Sequence, residues 1–183
     1  MLKLVKNCAI SNKRLLLSIM LKNRLLPGLI FLIGAFAACE KPEVYDPAER
    51  FAIEEDSIKL WGNANGIELT KHESGLFYHI DTVGDGDNVI ELTDTLEVEY
   101  VCRLLNDTLV SQVGDGSLYK FALEKGIPGW QSGLPLIREG GQIRLLVPSP
   151  LAYRDAVVGT VPANSPLDFV VRIRNVIKKK RIF

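Results

Sequence analysis

The sequence predicts an α+β domain: a predominantly antiparallel sheet with one short central helix, preceded by an amphipathic helix. Three observations predict it. Along residues 96–104, Val98, Tyr100, Cys102 and Leu104 alternate with Glu97, Glu99 and Arg103, the period of a strand with one wet face. Between Pro128 and Gly140-Gly141, Trp130, Leu134 and Ile137 recur at the i, i+4, i+7 spacing of a single helix face. Asp46-Pro47-Ala48-Glu49 carries a capping aspartate, a proline for the first helical position and a glutamate in the capping-box place.

The chain has 183 residues, enough for one ordinary domain with extensions, and its 22 Lys+Arg balance its 22 Asp+Glu. That balance gives no indication of a nucleic-acid partner. The N-terminus inflates the 47% hydrophobic fraction. Lys3, Lys6, Lys13, Arg14, Lys22 and Arg24 precede an uncharged apolar run over 25–38 that is too short to span a bilayer comfortably, so residues 1–38 read as an export signal. A start at Met20 gives a signal of more usual proportions, which leaves residues 1–19 as either an upstream mis-start or an overlong basic region. The run ends Phe36-Ala37-Ala38-Cys39 and resembles a bacterial lipoprotein signal, with Cys39 as the lipidated first residue of the mature chain. A plain secretory signal with an incidental cysteine is the alternative. Of the other cysteines, Cys8 falls in the discarded part and Cys102 in a strand, so the exported domain has no internal disulfide and depends on packing.

Residues 39–46 read as a charged, proline-containing tether, and 47–74 as a helical extension. Its helix is expected over 47–61, with Phe51, Ile58 and Trp61 near one face and Gly62 as the stop. The run Glu54-Glu55-Asp56 reads as a solvated face. A strand follows over 75–80, then a loop of turn residues over 84–88 that lacks the glycine spacing of a phosphate cradle and the ligand spacing of a calcium loop. His72 and His79 are the only histidines and have no partner at metal-ligand spacing, so no metal and no cofactor is expected. Asn106-Asp107 predicts a two-residue hairpin turn, with the return strand over 108–111. Pro128 suits a helix start and Gly140-Gly141 an exit, while Pro135 should tighten the last turn of that helix. An apolar strand follows before Pro148-Ser149-Pro150. Phe169, Val171 and Ile173 alternate with Asp168, Arg172 and Arg174 in a final strand, and 178–183 is a basic, solvated tail.

Taken together, Val98-Glu99-Tyr100, Leu104 to Thr108, Gly126-Ile127-Pro128-Gly129-Trp130, Val147-Pro148 with Leu151-Ala152-Tyr153, and Val161 to Ser165 with Leu167 and Phe169 resemble, in order, the motifs of the FKBP-type peptidyl-prolyl isomerases. The resemblance covers residues 75–177. It implies a curved antiparallel sheet wrapped around the short helix, with a pocket between them. Tyr100, Ile127, Trp130, Tyr153 and Phe169 would act on the substrate, with Trp130 as floor, and Val110, Ser111, Tyr119 and Val161 would contact it. The Ile127 amide and the Tyr153 hydroxyl would hold peptide carbonyls.

Three departures from the family pattern bear on activity. Val110-Ser111 stand in place of Phe-Asp, Arg154 replaces the glycine after the tyrosine and should reshape the loop over 154–160, and the segment from Phe121 to Trp130 is shorter than usual. The expectation is a monomeric isomerase that assists exported proline-containing polypeptides and is held by its lipid at the outer membrane of a Gram-negative-type bacterium. The alternative is a weakly catalytic chaperone or assembly module that uses the same pocket.

Overall fold

The computed structural model describes residues 45–87 and 89–179. The signal, Cys39 and most of the tether lie outside the described residues, as do residues 180–183 of the tail. Helix α1 spans Pro47–Ala64 and is followed by strands β1 (Thr70–Lys71), β2 (Phe77–Thr82), β3 (Thr95–Leu104), β4 (Leu109–Val113) and β5 (Tyr119–Ala122). Helix α2 (Pro128–Gly133), strand β6 (Gln142–Val147) and strand β7 (Leu167–Ile177) complete the order, with single 3-10 turns at Leu123–Lys125, Leu134–Leu136 and Ser149–Leu151. All pairings are antiparallel. The sheet runs β1-β2-β6-β7-β3-β4, and β5 also pairs with β3.

The strand with the clean sequence period is the centre of the sheet. β3 pairs with β7 along its whole length, from Thr95↔Ile177 to Leu104↔Leu167, and splits its other edge between β4 and β5. Its inward Leu96, Val98 and Cys102 are at most 2% exposed, as are Ile143 and Leu145 of β6 and Val171 and Ile173 of β7. These residues form one core with Trp130, Leu134 and Ile137 of the central helical segment. The three share one interior, as the i, i+4, i+7 spacing predicts, but not one helix face: Leu134 lies in a 3-10 turn and Ile137 is extended. The helix itself is shorter than its apolar period, because Pro135 has no N–H and the chain tightens into the 3-10 turn Leu134–Leu136.

A smaller apolar cluster joins Ile58 of α1 to Phe77 and Leu146, with Trp61, Leu69 and Leu105 at its margin. Arg144 on β6 extends the contact, its guanidinium lying 5.4 Å from the Trp61 ring. Asp46 caps α1 by accepting from the Ala48 amide at 2.8 Å.

The structure corrects four expectations. First, α1 passes Gly62 and ends at Ala64. Gly62 is there for close approach, since a Cβ on it would lie 2.7 Å from the Leu69 side chain. The chain turns instead at Gly66, at φ 65. Second, the acidic run is not uniformly solvated. Asp56 is exposed and Glu55 pairs with Lys59 and Lys71, each at 2.6 Å, but Glu54 is only 4% exposed. Third, the hairpin turn places only Asp107 at positive φ. The register slips between Cys102 and Arg103, a bulge that carries Val110. Fourth, β5 is a strand that the sequence reading did not contain.

Candidate functional site

Between α2, the concave side of the sheet and the turn after β5 lies a cavity of about 340 Å³. Its residues come from six places. β3 supplies Tyr100 and Cys102, β4 supplies Val110 and Ser111, and β5 with its turn supplies Tyr119, Phe121, Lys125 and Gly126. Ile127 and Trp130 come from the start of α2, and Tyr153 and Phe169 close the ring. Trp130 is 5% exposed and lies among four other aromatics. Its ring centroid is 5.0 Å from Phe121, 5.2 Å from Phe169, 5.5 Å from Tyr100 and 6.3 Å from Tyr119, all tilted or edge-on. Such edge contacts set the positive rim of one ring against the negative face of the next, which fixes the rings' orientation as well as their burial.

The polar groups are few. The Tyr100 and Ser111 hydroxyls lie 2.9 Å apart, so the serine anchors the tyrosine. We expect Ser111→Ala to lower stability by about 0.5–1.5 kcal/mol, because it strands the half-buried Tyr100 hydroxyl. Equilibrium urea unfolding of the two proteins checks this, and Ser111→Asp should recover the loss. Burial, with the neighbouring Cys102, Tyr100 and Tyr119, raises the Tyr153 phenol above its ordinary value, so it stays a protonated donor at neutral pH. Burial also pushes the Cys102 thiol up to about 12. Lys125 is then the one formal charge in the lining.

The start of α2 is fixed locally. The Ile127 carbonyl accepts from the Trp130 and Gln131 amides, at 2.9 and 3.1 Å. The Ile127 amide donates to no backbone carbonyl among the described residues. Gln131 reaches back from α2, its side-chain amide donating to Gly126 O at 2.8 Å and Glu124 O at 3.1 Å, and so ties the cavity lip to the helix. Sequence reasoning passed over Gln131, as it did Phe121, Lys125, Gly126 and the cavity-facing position of Cys102. Alternation along β3 does put Cys102 on the face of Tyr100, and Gly126 opens the motif that ends in Trp130, whereas no one-dimensional pattern marks Gln131 or Lys125.

The structure brings together Tyr100, Val110, Ser111, Tyr119, Ile127, Trp130, Tyr153 and Phe169. It does not bring Val161 to them: that side chain is 2% exposed within the core and does not face the cavity. Tyr119 is a rim residue, 44% exposed. Arg154 sits at φ 57, the left-handed region that glycine fills freely, so the backbone after Tyr153 holds that conformation in spite of its side chain, at a cost of about 1–2 kcal/mol.

An antiparallel sheet closed on a short helix over an aromatic cavity of this size defines a class of α+β domains with one concave, largely apolar site. Residues 86–174 match the family model described as FKBP-type peptidyl-prolyl cis-trans isomerase. The domain belongs to that family. A probable FKBP-type isomerase of Haemophilus influenzae is 36% identical over 115 residues, which are 62% of this chain and 47% of that protein. The crystal structure of FkpA from Escherichia coli superposes with a TM-score of 0.61 at 31% identity, covering 71% of this chain and 62% of that one. A Pseudomonas syringae isomerase structure shares the fold at a TM-score of 0.59 and 24% identity, over 74% of this chain and 99% of its own. The chain spans about half the length of the curated relatives it matches.

Proposed function

We propose that this protein is a peptidyl-prolyl cis-trans isomerase that acts on proline-containing segments of exported polypeptides. The observation that carries the reading is the cavity itself: Trp130 as floor, four further aromatics around it, and donors at Ile127 and Tyr153. Rotation about an Xaa-Pro bond is slow because it breaks amide resonance, a barrier of about 18–20 kcal/mol. The planar amide is charge-separated and is favoured by water, so an apolar enclosure raises it relative to the twisted form. Donors that bind carbonyls of the twisted peptide lower the barrier further, and neither proton transfer nor a nucleophile is needed. The Ser111–Tyr100 hydrogen bond, which keeps a polar anchor where the family has aspartate, favours a working isomerase over a binding-only module.

Tyr153→Phe removes one donor and no packing. We expect kcat/KM for an Xaa-Pro peptide to fall about three- to tenfold, the worth of one hydrogen bond, with the unfolding midpoint nearly unchanged. Cis/trans exchange followed by NMR on the wild type and the variant is the test. An exchange rate unaffected by wild-type protein at high concentration would overturn the reading.

The same proposal includes location. Cys39 at the end of an apolar run would carry acyl chains, each buried CH₂ contributing about 0.8 kcal/mol, and two or more chains hold a protein to a membrane stably. Glu40 after the cysteine, rather than aspartate, favours the outer membrane. Wild type should label with a radioactive fatty acid and fractionate with membranes, and Cys39→Ser should do neither. Unlabelled wild type in the soluble fraction would make Cys39 incidental.

A further inference from the structure

Glu54 is the one acidic side chain of α1 that is buried, and both of its oxygens are used on a single residue 95 positions away. Oε2 accepts from the Ser149 amide and Oε1 from the Ser149 hydroxyl, each at 2.6 Å. Ser149 is 1% exposed and opens the 3-10 turn Ser149–Leu151. Its neighbours Pro148 and Pro150 have no N–H, so the Ser149 amide is the first free donor of that turn, and Glu54 takes it. Burial raises the Glu54 carboxyl above its ordinary value, while the two bonds from Ser149 and the charge of Arg50 draw it back down.

Ser149 in turn carries Tyr153. The Ser149 carbonyl accepts from the amides on both sides of that tyrosine, Ala152 at 3.0 Å and Arg154 at 2.8 Å. Arg154 is also tied down through its own carbonyl, which accepts from Asn164 at 2.7 Å. The path is therefore short and continuous: a carboxylate of α1, the residue that starts the turn, and the two peptide units that frame a cavity-lining hydroxyl.

We propose that Glu54 is a positioning residue for Tyr153, so that α1, which lies outside the matched residues 86–174, is a working part of the site rather than a separate extension. The proposal rests on the isomerase reading for its kinetic consequence and on the hydrogen bonds alone for its structural one. Two measurements on the full chain test it. In the first, Glu54→Ala should lower kcat/KM about three- to tenfold when Tyr153 is present and less than about twofold in a Tyr153→Phe background. Glu54→Gln, which retains an acceptor, should recover most of the loss. A general loss of stability would reduce both backgrounds by the same factor, and that result would overturn the proposal.

In the second, hydrogen exchange of the Ala152 and Arg154 amides should speed up about tenfold or more in Glu54→Ala, relative to amides in the centre of β7. Unchanged relative protection at those two amides would also overturn it. If wild type does not accelerate peptide exchange, the isomerase reading falls, and the amide protection alone decides whether Glu54 positions Tyr153.

Discussion

Trp130→Ala should destabilise the domain by about 3–5 kcal/mol and abolish measurable isomerisation. Truncating a buried tryptophan removes its transfer free energy and leaves a cavity that the surrounding backbone closes only in part. Here the loss is larger than area alone implies, because Trp130 is the partner common to Tyr100, Tyr119, Phe121 and Phe169. Each such aromatic pair is worth about 0.5–1.5 kcal/mol beyond its burial. No hydrogen bond is lost with it, since the indole Nε1 is buried without a partner among the described residues. Urea unfolding should show a lower midpoint at unchanged slope. Trp130→Phe separates the two effects: it keeps a ring in the cluster and discards the unpaired N–H, so it should cost less than half as much stability and retain part of the rate. Peptide exchange at wild-type speed in folded Trp130→Ala would mean that the cavity floor takes no part in turnover.

The same residues explain which parts of the molecule could be read in advance. The apolar spacing of Trp130, Leu134 and Ile137 announced their common burial, though only Trp130 sits on the α-helix, and β3 was legible because its two faces meet different solvents. β5 was not. Of its four residues Tyr119 and Lys120 are exposed and Phe121 and Ala122 half-buried, so no alternation of polarity exists to be seen, and the strand is held by backbone pairing to β3. Glu54, Glu55 and Asp56 are alike as letters. A turn of about 100° per residue along α1 separates them, and which one is buried depends on where Ser149 arrives from 95 residues further on. Val161 shows the limit of resemblance: the match placed it on a pocket wall, whereas its side chain is turned into the core, where it packs without facing the cavity. Arg154 sits in the left-handed region at φ 57, a backbone state that a residue other than glycine does not announce in sequence.

Gly129→Ala should be nearly as damaging to function as the loss of the tryptophan beside it, although it adds a single methyl. Gly129 occupies the first turn of α2 and is buried. A Cβ there would lie 2.4 Å from Cγ1 of Val147, 3.1 Å from Cγ2 and 3.3 Å from Cβ. The obstacle is a whole β-branched side chain, 0% exposed at the end of β6, so it has no alternative rotamer to escape into. Either α2 lifts from the sheet or β6 bends, and overpacking of this kind costs about 1–3 kcal/mol. Alanine's better helix propensity returns roughly 1 kcal/mol at most. Because Ile127 and Trp130 flank the position, any lift of α2 moves the amide donor and the cavity floor together. Misplacement by about 1 Å can cost a hundredfold in rate. We therefore expect kcat/KM to fall more steeply than stability, and Val147→Ala, which removes both clashing methyls, to restore part of the rate in the double variant in spite of its own cavity. The double-mutant cycle should be strongly non-additive. Additive losses would mean that the two residues do not contend for the same space, and that the close approach of α2 to β6 is not what sets the geometry of the site.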